Sequence, residues 1–335
     1  AITVRQLLQH TSGIPNFTSA DDFATIKFLP TTRDELIAGF ADDPLDFTPG
    51  EEFSYSNSGY LLLTAIVEEV SGMDYAAFVK ANIFDPLGMA DTAIDVSADV
   101  VKMRAAGYVS TSEGPANAEY VNMAIPQGAG ALYSTTHDLL KWQRGLFTGD
   151  VLQPDSLAAM TAPGVTTRGD TTYGLGVFVR EDDTGKTVWH GGGIEGFNTM
   201  LMHDPDEEIT VVVLANINGG QADTLGTQLM ELARGGEVVL TSEMVEGSIA
   251  AEQLAEYEGT FAIRPEFKIR MFVEDGKLMT QATNQPAIQI YPGEEADHFF
   301  LKVVEARLRF NRGTDGEITS LTLFQGGREI DGTKE

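Results

Sequence analysis

Cysteine is absent from the 335 residues, which excludes disulfides, thiolate metal sites and a thiol nucleophile. Positive charge is scarce: 22 Lys and Arg stand against 50 Asp and Glu, a formal net charge of −28. A surface this negative repels nucleic-acid phosphates and anionic lipid, so neither is expected as a partner; its ordinary effect is solubility. No apolar run reaches the roughly 18 residues of a membrane-spanning helix. The opening Ala1-Ile2-Thr3-Val4-Arg5 lacks the basic stretch and apolar segment of a signal peptide. One short pattern is also missing: Ser-x-x-Lys occurs nowhere in the chain.

What is present divides into a helical stretch, a β stretch and a second β stretch. With 42% hydrophobic residues the chain is long enough to build two cores. Thr3-x-x-Gln6 and Thr32-x-x-Glu35 are capping-box patterns, each ahead of apolar residues, so each predicts a helix start. The first reads as a helix already inside a domain, as though the folding unit began upstream of Ala1. Tyr60, Leu63, Ile66, Val67 and Val70 recur at helical spacing and Gly72 follows as a left-handed stop. Asp74 predicts a cap over Tyr75, Phe78 and Val79, with Pro86 ending that segment, and Thr135-x-x-Asp138 opens a helix over Leu139, Leu140 and Trp142. From Tyr173 the period becomes that of strands: Tyr173 to Arg180, Lys186 to His190, Asn198 to His203 and Ile209 to Ile217, the first two joined by a turn at Asp183-Thr184-Gly185. A helix from about Ala222 to Ala233, closed by Gly235-Gly236, completes a first domain over residues 1–236. Residues 237–251 are polar and mixed and predict a linker. Residues 252–335 carry about eight short β-patterned runs with turns at Asp275-Gly276 and Asp315-Gly316, which suggests a small antiparallel barrel.

Two motifs carry chemistry. Tyr55-Ser56-Asn57 lies on a turn just ahead of the Tyr60 helix. From there a phenol can project into a cleft while the Asn57 amide offers a donor and an acceptor. A phenol with its usual pKa near 10 is a poor base at neutral pH and needs a nearby cation to favour the phenolate. Taken alone, Tyr-x-Asn reads first as a tyrosine packing at a helix start. The second motif, His190-Gly191-Gly192-Gly193, ends an apolar strand in three residues without side chains, so a ligand can approach the backbone. The Gly193 N–H could donate to an oxyanion, and His190 could contact a substrate carboxylate or the phenol. Alone, this motif reads equally as a glycine bulge beside a satisfied histidine.

In order along the chain come Leu7-Leu8-Gln9-His10-Thr11-Ser12-Gly13-Ile14-Pro15, the Tyr55 block, Asp85-Pro86-Leu87-Gly88-Met89, Gly130-Ala131-Leu132-Tyr133-Ser134-Thr135-Thr136-His137-Asp138-Leu139 and the His190 block. This ordered set, over roughly residues 1 to 235, resembles the β-lactamase-related serine hydrolases: class C β-lactamases, D-alanyl-D-alanine carboxypeptidases, D-aminopeptidases and family VIII esterases. Residues 252–335 resemble, more weakly, the lipocalin-like β domain appended to some of them. The resemblance implies an α+β fold with an antiparallel sheet flanked by helices, penicillin-binding-protein-like, and hydrolysis of an amide, lactam or ester through an acyl-enzyme. It implies no cofactor or metal, a small-molecule or peptide substrate, and a periplasmic or secreted bacterial location. It places Tyr55 as the general base, Asn57 on the substrate amide, His190, Gly191 and Gly192 at the family's Lys-Thr-Gly or His-x-Gly strand, and Gly193 at an oxyanion-hole N–H.

The family's serine and lysine come from Ser-x-x-Lys ahead of the stretch matched by Leu7 to Pro15, so the chain is expected to be inactive as it stands. A permuted motif has no place in the β-patterned tail. A lost site would more readily keep the helix and change the Ser or Lys. The expectation is a fragment whose missing segment supplies the nucleophile; as a separate chain, that segment would be its partner. The alternative is a non-catalytic binding or regulatory homologue that holds peptidoglycan-like or D-amino-acid peptide ligands.

Overall fold

The computed structural model describes all residues except 112, 220, 221, 239, 241, 242, 265, 305, 326 and 327. The described residues form two compact units, residues 1–226 and 227–335. Of the expected linker over 237–251, residues 239, 241 and 242 lie outside the described set.

Helix starts in the first unit follow the caps. In α1 (Val4–Leu8) the Thr3 and Gln6 side chains each take the other's backbone N–H, and Thr32 and Glu35 do the same ahead of Arg33–Phe40. Helix α2 (Asn57–Ser71) ends at Gly72 in the left-handed conformation, φ 67°. Its buried face, with Leu61 fully enclosed, meets Phe17, Leu36, Phe40 and Ile125. Asp74 caps Tyr75–Val79 as expected. Pro86, however, does not stop that segment. The chain widens through Lys80–Phe84 and then starts a further short helix, Asp85–Leu87, with Pro86 in its first turn, where a missing N–H costs little; Gly88 closes it. Thr135 caps α3 (Thr136–Thr148), but Asp138 does not reciprocate. Its carboxylate turns instead to Asp91 N–H, the Thr92 hydroxyl and Lys141.

Six antiparallel strands make the main sheet: β1 (Val165–Arg168), β2 (Thr171–Tyr173), β3 (Phe178–Asp182), β4 (Gly185–Ile194), β5 (Phe197–Asp204) and β6 (Ile209–Ala215), side by side in chain order. The expected single strand from Tyr173 to Arg180 is two, because Gly174–Val177 closes a tight turn with Gly174 N–H on the Val177 carbonyl. The last strand stops at Ala215; Ile217–Asn218 pairs in parallel with Tyr108–Val109 in a separate small sheet. Helix α4 (Ala222–Ala233) has the predicted bounds.

The second unit is a nine-stranded antiparallel sheet that nearly closes on itself. Its two edges, Ile288–Gln289 and Tyr291–Pro292, are separated in sequence by Ile290 alone, so one bent segment pairs with Met279–Thr280 on one side and Phe299–Phe300 on the other. Alternation points Phe261, Ile269, Met271, Leu308, Phe310 and Leu321 inward, and Arg270, Arg307 and Arg309 outward. Side chains fill the interior, with edge-to-face ring contacts joining Tyr257, Phe299 and Phe310.

Candidate active site

Tyr55 sits on the extended stretch before α2 with its side chain 38% exposed. The structure brings it to the His190 strand, with ring centroids 6.2 Å apart. Nearer still is His10, from the loop after α1, at 4.1 Å. Burial raises the Tyr55 phenol above its usual range. Both neighbouring imidazoles are pushed the other way. Burial, then the nearby His190, brings His10 down to about 4, and burial lowers His190. Both rings are therefore neutral at pH 7, and neither supplies the cation that would stabilise a phenolate.

Asn57, the first residue of α2, gives its backbone N–H to Asn16 Oδ1 at 3.0 Å and its Nδ2 to Thr18 Oγ1 at 3.1 Å. Its Oδ1 is the group left open among the described residues. Gly191, Gly192 and Gly193 continue β4 beyond its last pairing with β3, Trp189 to Phe178. They stay paired to β5 through Met200, Thr199 and Asn198, so one edge of this stretch is open, and Gly192 and Gly193 are exposed.

His190 does not reach Tyr55 by a hydrogen bond. Its Nδ1 lies 2.6 Å from the Gly191 carbonyl and its Nε2 3.1 Å from the Tyr173 hydroxyl. Tyr173, fully buried at the end of β2, also meets His10 Nε2 at 3.2 Å. Sequence reading placed Tyr173 only at a strand start and His10 only inside a motif. The signal that marks Tyr173 is the Gly174-Leu175-Gly176 that follows it, a turn that reverses the chain immediately beside the phenol. Among the described residues no group of three or more His, Asp or Glu is placed to hold a metal, and no helix is long and apolar enough to cross a membrane.

Comparison with known proteins follows these elements. Residues 1–234 match the family model described as Beta-lactamase. The chain belongs to the Beta-lactamase family. Residues 243–334 match a second model, a domain of unknown function (DUF3471). This Beta-lactamase-family chain is 28% identical over 360 residues to penicillin-binding protein 4* of Bacillus subtilis, covering 98% of the chain and 77% of that protein. Protein flp of Staphylococcus aureus is 27% identical over 224 residues, a region that spans 43% of its own length. Among solved structures, the D-stereospecific amidohydrolase from a Streptomyces species is 27% identical with a TM-score of 0.59, over 65% of this chain and 68% of that one. The chain is also similar to the octameric penicillin-binding protein homologue from Pyrococcus abyssi, 25% identical with a TM-score of 0.64 over 99% of this chain and 78% of that one.

Proposed function

We propose that this chain contributes the base and oxyanion sides of a serine hydrolase site that transfers an acyl group from an amide, lactam or ester to water. The observation that carries the reading is the meeting of the Tyr55 phenol and the open Gly191–Gly193 edge across two neutral imidazoles. In an extended strand, residues two apart present their backbone polar groups to the same edge. The Gly191 carbonyl is turned to the His190 ring, so Gly193 N–H is offered beside it for a developing oxyanion. Asn57 Oδ1 stands ready to accept from a substrate amide N–H. Tyr55, raised by burial, cannot act as a base at neutral pH unless a cation approaches it. In this reading the serine and the lysine that supplies this cation belong to sequence outside the 335 residues, which hold no Ser-x-x-Lys.

D-amino-acid amides and peptides lead the candidate substrates, supported by the amidohydrolase and penicillin-binding relatives. The test is a panel of a D-amino-acid amide, a lactam and a chromogenic ester, assayed with a form that carries a Ser-x-x-Lys helix and with its Tyr55→Phe variant. Turnover of at least one substrate, lost in the variant, is expected. Turnover that survives the variant refutes Tyr55 as base. The raised Tyr55 phenol also favours a second reading, a site that binds such ligands without cleaving them; saturable binding with no turnover in any form would select it.

A further inference from the structure

We propose that Tyr173 is a positioning residue that sets the tautomers of His10 and His190, and through them holds the Tyr55 loop against the Gly191–Gly193 edge. Its bearing on catalysis rests on the acyl-transfer reading above; the proton pattern itself does not.

The pattern is determined independently from each end. At one end, the Ser56 N–H points at His10 Nδ1 at 3.0 Å. A donor there means that Nδ1 carries a lone pair, so the proton of the neutral ring lies on Nε2. At the other end, His190 Nδ1 faces the Gly191 carbonyl, which can only accept. That nitrogen therefore carries the proton, and His190 Nε2 is left bare. The Tyr173 hydroxyl lies between the two Nε2 atoms, 3.2 Å from His10 and 3.1 Å from His190. It has one proton to give. Accepting from His10 and donating to His190 places one proton in each of these two contacts, as both ends require, while Tyr60, whose hydroxyl also meets that of Tyr173, gives its own proton to the Leu8 carbonyl at 3.0 Å. The hydroxyl joins two opposite tautomers.

The chain spans three segments that are distant in sequence. His10 grips both neighbours of Tyr55: its carbonyl accepts the Ser54 N–H at 2.9 Å and its ring accepts the Ser56 N–H. His190 holds the Gly191 carbonyl on the open edge of β4. Tyr173 is the link between them. Its ring is enclosed by Phe53 at 5.5 Å and by Phe178 edge-on at 4.7 Å, so phenylalanine fills the same space. Tyr173→Phe removes only the oxygen. It leaves the His10 Nε2 donor and the His190 Nε2 acceptor without their shared partner, and the His190 ring is then free to change tautomer and leave the Gly191 carbonyl.

Long-range proton–nitrogen correlation spectra of the 15N-histidine-labelled chain at pH 7.5, with the five histidines assigned by single substitution, test this. The wild type is expected to show His190 protonated on Nδ1 and His10 protonated on Nε2. Tyr173→Phe is expected to collapse both patterns towards tautomer exchange, to leave His137, His203 and His298 unchanged, and to lower amide-exchange protection at Ser56 at least tenfold. Unchanged His10 and His190 spectra in the variant overturn the proposal. If the variant does not fold, the wild-type spectrum decides alone: His190 protonated on Nε2, or His10 on Nδ1, overturns it. A chain with the expected tautomers and no hydrolysis in any form would refute the acyl-transfer reading and leave this proposal standing.

Discussion

Acidification should destabilise the first unit through His10, and the size of the effect can be worked from its surroundings. His10 is 1% exposed, its Nδ1 is occupied by the Ser56 N–H, and burial brings its pKa down to about 4 from the 6.5 of a free imidazole. Between those two values the unfolded chain binds a proton that the folded chain refuses. Stability from this group is thus complete above pH 6.5 and is lost as the pH falls towards 4. At 1.36 kcal/mol per unit of pKa, the loss totals about 3 kcal/mol. The wild-type curve alone will not isolate it, because protonating carboxylates on a chain of net charge −28 relieves repulsion over the same range. The comparison is with His10→Asn, chosen because asparagine tolerates the left-handed backbone at this position, φ 55°. Both tryptophans, Trp142 and Trp189, lie in the first unit, so their fluorescence during urea unfolding reports that unit. The stability advantage of wild type over variant should shrink by about 3 kcal/mol between pH 7 and pH 4. A difference constant to within about 0.5 kcal/mol would refute the burial argument.

Three further outcomes are expected. Leu61→Ala, at a fully buried position between Phe17, Phe40 and Ile125, should lower the urea-derived stability of the first unit by about 2–5 kcal/mol. Gly13→Ala should cost at least about 1 kcal/mol in the same assay, because the backbone there is left-handed, φ +74°, and an added Cβ would run into the Phe47 carbonyl. Tyr55→Phe should change stability by less than about 0.5 kcal/mol, since the substitution keeps the ring and the lost hydroxyl has no hydrogen bond among the described residues. A larger loss would mean that the phenol serves packing rather than chemistry.

Local signals made much of the fold legible. Capping residues marked where helices begin because each satisfies backbone N–H groups that the helix leaves open, and Gly72 marked a left-handed stop. Strands of alternating pattern were read as a meander and as a barrel. What escaped was set by tertiary context. Pro86 was read as a stop, but the wide turn over Lys80–Phe84 lets the chain run on. Gly174–Val177 split an apparently continuous strand, and the turn it forms is what carries Tyr173 to the two histidines. At the site, Tyr55, Asn57 and the His190–Gly193 run stood out because their neighbours in sequence form motifs. The partnership of His10, Tyr173 and His190 did not, because it joins residues 163 and 17 positions apart. No periodicity reports contacts across that distance.

In the proposed acyl-transfer site, the base and oxyanion walls come from this chain and the serine from sequence outside it. Intact mass decides this, measured after incubation with a fluorescent penicillin and, separately, with an activated ester, on the 335-residue chain and on a form carrying a Ser-x-x-Lys helix. No adduct is expected on the 335-residue chain, and a single acyl adduct is expected on the serine of the longer form with at least one reagent. An adduct on a serine of the 335-residue chain, or none on either form with both reagents, would contradict it.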